Sequence, residues 1–494
     1  MKITIEKLNH VHLRVYSDPS IEQELSDFFT YEYPGARYTP QFRARLWDGK
    51  VRMYDIHRKT IYVGLLQYIQ KFAEQNQYEI EYKGDILTTT DVSIQEIEEF
   101  AKWLNPMGHG KPIEIRDYQL EAVHKAITDE RTLLLSPTAS GKSFIIYTTV
   151  RWHLEHNRRV IIIVPSTSLV EQLYADFDDY STGNGWRTSF HCQKLYSGFP
   201  KDFSKDILIT TWQSVYLQPK AWFHQFDVII GDEAHQFKAK SLTTVMEKMD
   251  QVRWRMGTTG TIDNKKIHRL VLEGIFGPVH RVTTTAALME SGRLAKLNIT
   301  CIMLKYDEAT RMSRNKNLYQ DEMDFIVRND ARNRFINNLA LSLNGNTLLL
   351  FQYVEKHGKV LYDMVKDAAG DRHVFFVHGG VDGDDRENIR ALVEKESDCI
   401  IVASFGTFST GINIRNLHNV IFASPSKSRI RNLQSIGRGL RKGDNKEEAT
   451  LFDIADDFRV GKFTNYTLKH FIERVKIYDD EKFEYKFYNI ELKG

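Results

Sequence analysis

Three cysteines in 494 residues are too few and too scattered to build with. Cys192, Cys301 and Cys399 lie about a hundred residues apart, which excludes a disulfide framework and a zinc cluster of ordinary spacing. Long hydrophobic runs are missing too. The longest, such as "VIIIVP" and "TLLLF", fall far short of a bilayer span, and the opening "MKITIEKLNHVHLRVYSD" lacks the apolar core of a signal peptide. No membrane partner and a cytosolic location are therefore expected. Neither sign of charge is in excess: 67 Lys and Arg against 65 Asp and Glu leave a formal +2, so a nucleic-acid partner can be read only from local patches. No low-complexity segment and no repeat of solenoid period occurs.

What is present is a globular composition, 42% hydrophobic and 27% charged, at a length that suggests about three domains. Residues 1–95 read as a small α+β domain, closed by the acidic, helix-like "SIQEIEEFAKWL" and the linker "NPMGHGKP". Apolar runs then alternate with helical stretches: "TLLLS", "RVIIIVP", "DILITT", "FDVIIGDE" and "WRMGTT". A second series follows: "NTLLLF", "HVFFVH", "CIIVAS", "NVIFAS" and "ATLFDI". This alternation predicts two tandem doubly wound parallel sheets, over 96–290 and 291–460, with "AALMESGRLAKLNITCIMLKY" crossing between them and 461–494 as a C-terminal extension.

Within the small domain, residues 37–59, "RYTPQFRARLWDGKVRMYDIHRK", hold seven Lys or Arg against two Asp, interleaved with Tyr38, Phe42, Trp47 and Tyr54. Cations meet phosphates and bases stack on aromatics, so Arg43, Arg45, Trp47, Lys50 and Arg52 are candidate nucleic-acid contacts. The plainer reading is a "WDG" turn joining two amphipathic strands, with the aromatics in the core and the cations merely solvated.

In "LLLSPTASGKSFIIYTTV" an apolar strand ends in a turn, and a helix follows. The backbone N–H groups of such a turn and of the helix start cradle phosphate, with Gly141 allowing close approach, Lys142 supplying charge and the Ser143 hydroxyl available to magnesium. The strict phosphate-loop pattern wants glycine where Ser136 stands; a small residue there can still turn. Downstream, "VIIGDEAH" runs an apolar strand into two carboxylates. Asp232 can hold the metal, and Glu233 can orient and deprotonate an attacking water. In "PSTSLVEQ", Pro165 ends a strand and Ser168 with Glu171 reads as a capping box, so this helix start could also serve phosphate.

These motifs resemble, in order across residues 116–441, those of the superfamily 2 helicases and translocases. The resemblance implies two RecA-like domains, ATP and Mg2+ as cofactors, and nucleic acid as partner. It further implies Arg116 and Gln119 of "RDYQLEAV" beside the adenine, and Pro137, Thr138, Ala139, Ser140 and Gly411 around the nucleotide. Pro165, Ser166, Thr210, Thr211 and Thr407 would lie on the strand backbone, and "TTGT" at 258–261 would link nucleotide state to nucleic acid. In "QSIGRGLR", Gln434, Arg438 and Arg441 share one helical face, so both guanidinium groups could reach across a cleft to a γ-phosphate. Asn413 stands where many relatives carry Asp, and Ser166 where threonine is commoner. His235, a lone histidine, reads as a hydrogen-bonded coupler.

Beyond the core, the basic aromatic N-terminal unit, the compact motor and the short C-terminal segment resemble the UvsW-type recombination and repair helicases of tailed bacteriophages. That implies a monomer acting in the host cytoplasm, unwinding and branch-migrating R-loops, Holliday junctions and stalled forks, with RNA met as part of RNA–DNA hybrids. An RNA-remodelling ATPase would share every core motif, and the ATP-gated motor subunit of a nuclease complex most of them, so both stay open at this point.

Overall fold

The structure is a computed structural model that describes all residues except 87–88, 198–202, 238, 263–264, 315–317, 382, 412–413, 415, 427, 429–447 and 493–494. The chain divides into two compact units, one of Met1–Ser136 and Ser140–Thr283, the other of Thr284–Gly494 with Pro137–Ala139.

The first unit begins with a four-stranded sheet in the order Thr60–Tyr62, His12–Tyr16, Lys2–Lys7, Glu79–Lys83. Alternation along these strands buries Ile3, Ile5, Leu13 and Val15, which the helices Pro19–Phe28 and Leu66–Gln75 cover with Ile21, Leu25, Ile69 and Phe72. The same core takes in Ile267 and Leu270 of the helix Lys266–Phe276. Gly64 approaches that helix so closely that a Cβ on it would lie 1.9 Å from the Glu273 carbonyl oxygen, and Tyr68 hydrogen-bonds the Glu273 carboxylate. The N-terminal domain expected over residues 1–95 thus shares apolar burial with the sheet that follows, and the two fall within one compact unit.

The turn at "WDG" does not join two strands. Residues before it are helical, Ala36–Tyr38 and Pro40–Arg43, and Lys50–Arg52 pairs instead with Thr30–Glu32. Pro40 fits a helix start, where its missing N–H costs nothing, and the Thr39 hydroxyl accepts from Phe42 N.

The large sheet of the first unit has seven parallel strands in the order Cys192–Leu195, Ile207–Thr211, Val160–Val164, Val228–Asp232, Trp254–Thr259, Arg131–Leu135, Val279–Arg281. Helices bury both faces, so the central strands read as unbroken apolar runs. The second unit repeats the plan with Val374–Val377, Ile400–Ser404, Thr347–Phe351, Asn419–Phe422, Glu448–Asp457, Lys296–Lys305 and Tyr485–Glu491, again all parallel. The segment expected to cross between sheets thus supplies a ten-residue strand of the second one. The expected C-terminal extension supplies its edge strand, Tyr485–Glu491, and the helix Tyr466–Asp480. No helix among the described residues is long and apolar enough to cross a membrane, and no His/Cys/Asp/Glu group among them could hold a metal by itself.

Candidate active site

Three neighbouring strands of the first sheet, Val228–Asp232, Trp254–Thr259 and Arg131–Leu135, end side by side, and each carries a motif at its carboxyl end. Ligands of open α/β sheets bind outside such strand ends. After Leu135 the chain turns and enters the helix Lys142–Glu155 directly from Gly141, whose φ of +84° only glycine adopts freely. A Cβ at that position would sit 2.2 Å from the Gln119 amide nitrogen. The serine that replaces the pattern glycine is accommodated: the Ser136 amide donates to the Thr259 carbonyl at 2.8 Å, and its hydroxyl shares a 2.6 Å hydrogen bond with the Ser140 hydroxyl. Ala139 carries a left-handed φ of 67° instead, a strained value for a side chain, of the kind stored at binding loops.

Lys142 reaches back from the first turn of its helix to both carboxylates. Its Nζ lies 2.8 Å from Asp232 Oδ1 and 2.8 Å from Glu233 Oε1. Burial alone would push the lysine pKa down, but the two carboxylates overcome it and hold Lys142 well above its ordinary value. For Glu233 burial pushes upward, and Lys142 with His235 holds the carboxylate well below the usual range. Asp232 Oδ1 also accepts from the Glu233 amide and the Thr258 hydroxyl, each at 2.8 Å, whereas its Oδ2 has no partner among the described residues. Glu233 has a left-handed φ of 50°, and its Oε2 is buried without a hydrogen bond, 3.3 Å from His235 Nδ1. His235 Nδ1 is 3.0 Å from the Thr259 hydroxyl, so the histidine bridges the two strand ends as a coupler.

This donor set fits a magnesium nucleotide. A lysine, the N-terminus of a 14-residue helix and a positive-φ glycine suit phosphate, while an unshared carboxylate oxygen and a hydroxyl suit the metal. The Ser143 hydroxyl lies 2.8 Å from the Tyr180 hydroxyl, a partner that sequence reasoning did not find. Gln119 is buried with both ends of its amide engaged, accepting from Arg116 N at 3.1 Å and donating to the Ser140 carbonyl at 2.8 Å. It ties the turn at Ser140 to the start of the helix Asp117–Thr128. Arg116 Nη1 donates to the Tyr118 hydroxyl at 2.7 Å. Pro137 and Thr138 are half-buried in the same loop.

The candidate strand contacts divide. Ser166 caps the helix Thr167–Ser181 by accepting from Leu169 N, so the cap is Ser166 and not the expected Ser168 with Glu171. Glu171 is taken by Lys194 at 2.8 Å and by the Tyr196 hydroxyl. Pro165 and Ser166 remain half-buried at that helix start, whereas Thr210 and Thr211 are buried, their hydroxyls bonded to the Leu195 carbonyl and to Ser214. In the second unit, Thr407 lies in the first turn of the helix Phe405–Gly411 with its hydroxyl 2.8 Å from that of Ser404, and Gly411 ends the helix. Gln434, Arg438, Arg441 and Asn413 lie outside the described residues.

On the N-terminal arm the aromatics and cations have different tasks. Trp47 donates to the Lys50 carbonyl at 2.8 Å and packs edge-on against Tyr33, while Phe42 lies under Gly49. Arg52 is paired with Asp48 at 2.6 Å. The side chains that project are Tyr38 and Leu46, 79% and 81% exposed, among the exposed Arg37, Arg43, Arg45 and Lys50.

Residues 112–264 match the family described as the res subunit of type III restriction enzymes, and residues 330–443 match the conserved C-terminal helicase domain. Residues 2–83 match the N-terminal domain of the DNA helicase UvsW. Over its whole length the chain is 35% identical to the whole of the ATP-dependent DNA helicase uvsW of Enterobacteria phage T4. The chain belongs to the UvsW family of helicases. The crystal structure of T4 UvsW covers all of both chains at 32% identity with a TM-score of 0.54. A DNA 3'-5' translocase, XPB2 of Sulfurisphaera tokodaii, is 22% identical over 71% of this chain and 84% of its own. A putative HsdR subunit of a type I restriction enzyme from Vibrio vulnificus, 16% identical with a TM-score of 0.57 over 80% of this chain and 71% of its own, shares the fold. The tandem RecA-like architecture and the UvsW N-terminal domain therefore stand as the sequence led one to expect, and the protein is an ATP-dependent helicase.

Proposed function

We propose that this UvsW-family protein uses ATP with Mg2+ to unwind and branch-migrate branched DNA, including forks, four-way junctions and R-loops, as a monomer in the host cytoplasm. The observation that carries the motor part is the meeting of Lys142, Asp232, Glu233 and Thr258 at adjacent strand ends. Lys142 would leave its carboxylates for the phosphates, Ser143 and Asp232 would hold the metal, and Glu233 would take the proton of the attacking water. Bound magnesium would neutralise phosphate charge as the terminal bond breaks. Arg438 and Arg441 are proposed from the sequence as arginine fingers, with Gln434 beside them.

Substrate choice is assigned to the arm. Motor domains of this kind address a strand backbone that every substrate offers, so preference for a junction needs a further surface. Arg37, Arg43, Arg45 and Lys50 supply phosphate contacts. Tyr38 and Leu46, rather than Trp47 and Phe42, supply the apolar contact to an opened pair, because the latter two hold the arm together. Parallel ATPase assays with forked DNA, linear DNA and RNA test the reading. Stimulation by forked DNA above both other cofactors is expected, and equal or greater stimulation by RNA would overturn it.

A further inference from the structure

Tyr180 lies outside every motif, yet its hydroxyl is 2.8 Å from that of Ser143. It occupies the last turn of the helix Thr167–Ser181, which begins at Ser166, roughly 20 Å away at 1.5 Å per residue. The ring cannot swing freely. It packs edge-on against Phe144 at 5.4 Å and tilted against Tyr147 at 5.4 Å, both on the helix that carries Ser143. A phenol hydroxyl donates one hydrogen bond and keeps lone pairs with which to accept another, so the 2.8 Å contact can run from Ser143 to Tyr180.

A serine hydroxyl that ligates a cation must turn a lone pair to the metal and give its proton elsewhere. The partner that receives the proton fixes the rotamer, and for metal ligands such partners are worth about ten- to a hundredfold in affinity. We infer that Tyr180 is a positioning residue for magnesium: its hydroxyl accepts the Ser143 proton and so aims the Ser143 oxygen at the metal beside Asp232. The inference rests on the proposed assignment of Ser143 to magnesium. Nothing in the sequence near Tyr180 marks it for this, because two helices about forty residues apart have to pack before the hydroxyls meet.

The test is equilibrium binding of a fluorescent, non-hydrolysed ATP analogue to the full chain, with Mg2+ and again in EDTA, for wild type, Tyr180→Phe, Ser143→Ala and the double variant. The readout is the ratio of the two affinities, which a loosened fold would not change selectively. Phenylalanine keeps the ring packing. Tyr180→Phe is expected to cut the magnesium enhancement about tenfold with EDTA affinity unchanged, and to add nothing once Ser143 is alanine. If Ser143→Ala cuts the enhancement and Tyr180→Phe leaves it intact, the inference is wrong while the magnesium assignment stands. If Ser143→Ala leaves it intact as well, the assignment itself is wrong and the inference goes with it. A Tyr180→Phe loss equal in Mg2+ and EDTA would make the tyrosine merely structural and overturn the inference too.

Discussion

Replacing Glu233 by glutamine removes one charge and almost no volume, so its two consequences can be predicted separately. The first is on turnover. A positioned general base contributes about 10²- to 10⁴-fold, and an amide cannot accept the water's proton, so DNA-stimulated hydrolysis falls by at least about a hundredfold. The second is on binding and comes from the ion pair. Lys142 sits 2.8 Å from Glu233 Oε1 and must loosen that contact to meet phosphate. At an effective dielectric of about 20 the gross attraction at that distance is roughly 6 kcal/mol. Desolvation and the remaining Asp232 contact reduce the net coupling to about 1 to 2 kcal/mol, near the low end of the roughly 1.5 to 3 kcal/mol of a hydrogen bond to a charged group. Glu233→Gln should therefore bind ATP roughly five- to thirtyfold more tightly than wild type, because the carboxylate no longer competes for the lysine. Phosphate release with saturating single strands reads the first effect, and equilibrium nucleotide binding reads the second. Turnover within about threefold of wild type, or ATP affinity weakened tenfold, would refute the roles given to Glu233 and Lys142.

Gly141→Ala puts a Cβ against Gln119 at a φ that alanine resists, so nucleotide binding is expected to fall at least about tenfold; unchanged affinity would show that the loop can rebuild. Changing Arg37, Arg43, Arg45 and Lys50 together to Gln spares the Asp48–Arg52 pair and the core of the arm. Junction affinity should drop and its salt slope should shrink by up to about four, roughly one per lost phosphate contact, with ATPase activity on saturating linear strands retained. Unchanged slope would place junction contacts elsewhere. His357 is fully buried with Nδ1 2.9 Å from the Ser424 hydroxyl, and burial beside Arg332 lowers its pKa to about 3. Folded His357 stays neutral while the unfolded side chain titrates near 6.5, so its contribution is full above that pH. It is lost at up to about 1.4 kcal/mol per unit as pH falls toward 3. Melting between pH 7.5 and 5.5 should be less pH-dependent in His357→Gln, and equal dependence would contradict this.

The central strands were legible because burial on both faces leaves apolar runs such as Val160–Val164 and Thr347–Phe351. The turn after Leu135 and the Asp232–Glu233 pair were legible for a related reason, since each stands at the end of an apolar strand. The edge strands were not. Cys192–Leu195 is short and half polar, and Tyr485–Glu491 leaves most of its side chains exposed, so neither shows the period or the run that marks a strand. Lys296–Lys305 mixes buried and half-buried positions after an exposed first residue, with no unbroken apolar run, so its sequence reads as a crossing segment. The motif residues Gln119, Thr210 and Thr211 were found, but which way they face depends on tertiary packing. Gln119 turns to Ser140, and the two threonines turn inward. On the arm the aromatic and basic content was visible, whereas the division between Trp47 and Phe42 inside and Tyr38 and Leu46 outside was set by the short helix Pro40–Arg43 and the left-handed Arg45.

The most direct test of the central claim is strand separation by the purified full chain, without partners, on a labelled four-way junction and fork and on a linear duplex of the same arms. With ATP and Mg2+, the junction and fork should be resolved, the linear duplex should be opened far more slowly, and Glu233→Gln should leave all three intact. A wild-type protein that hydrolyses ATP on these DNAs yet resolves no branched substrate, or opens the linear duplex equally fast, would contradict the account.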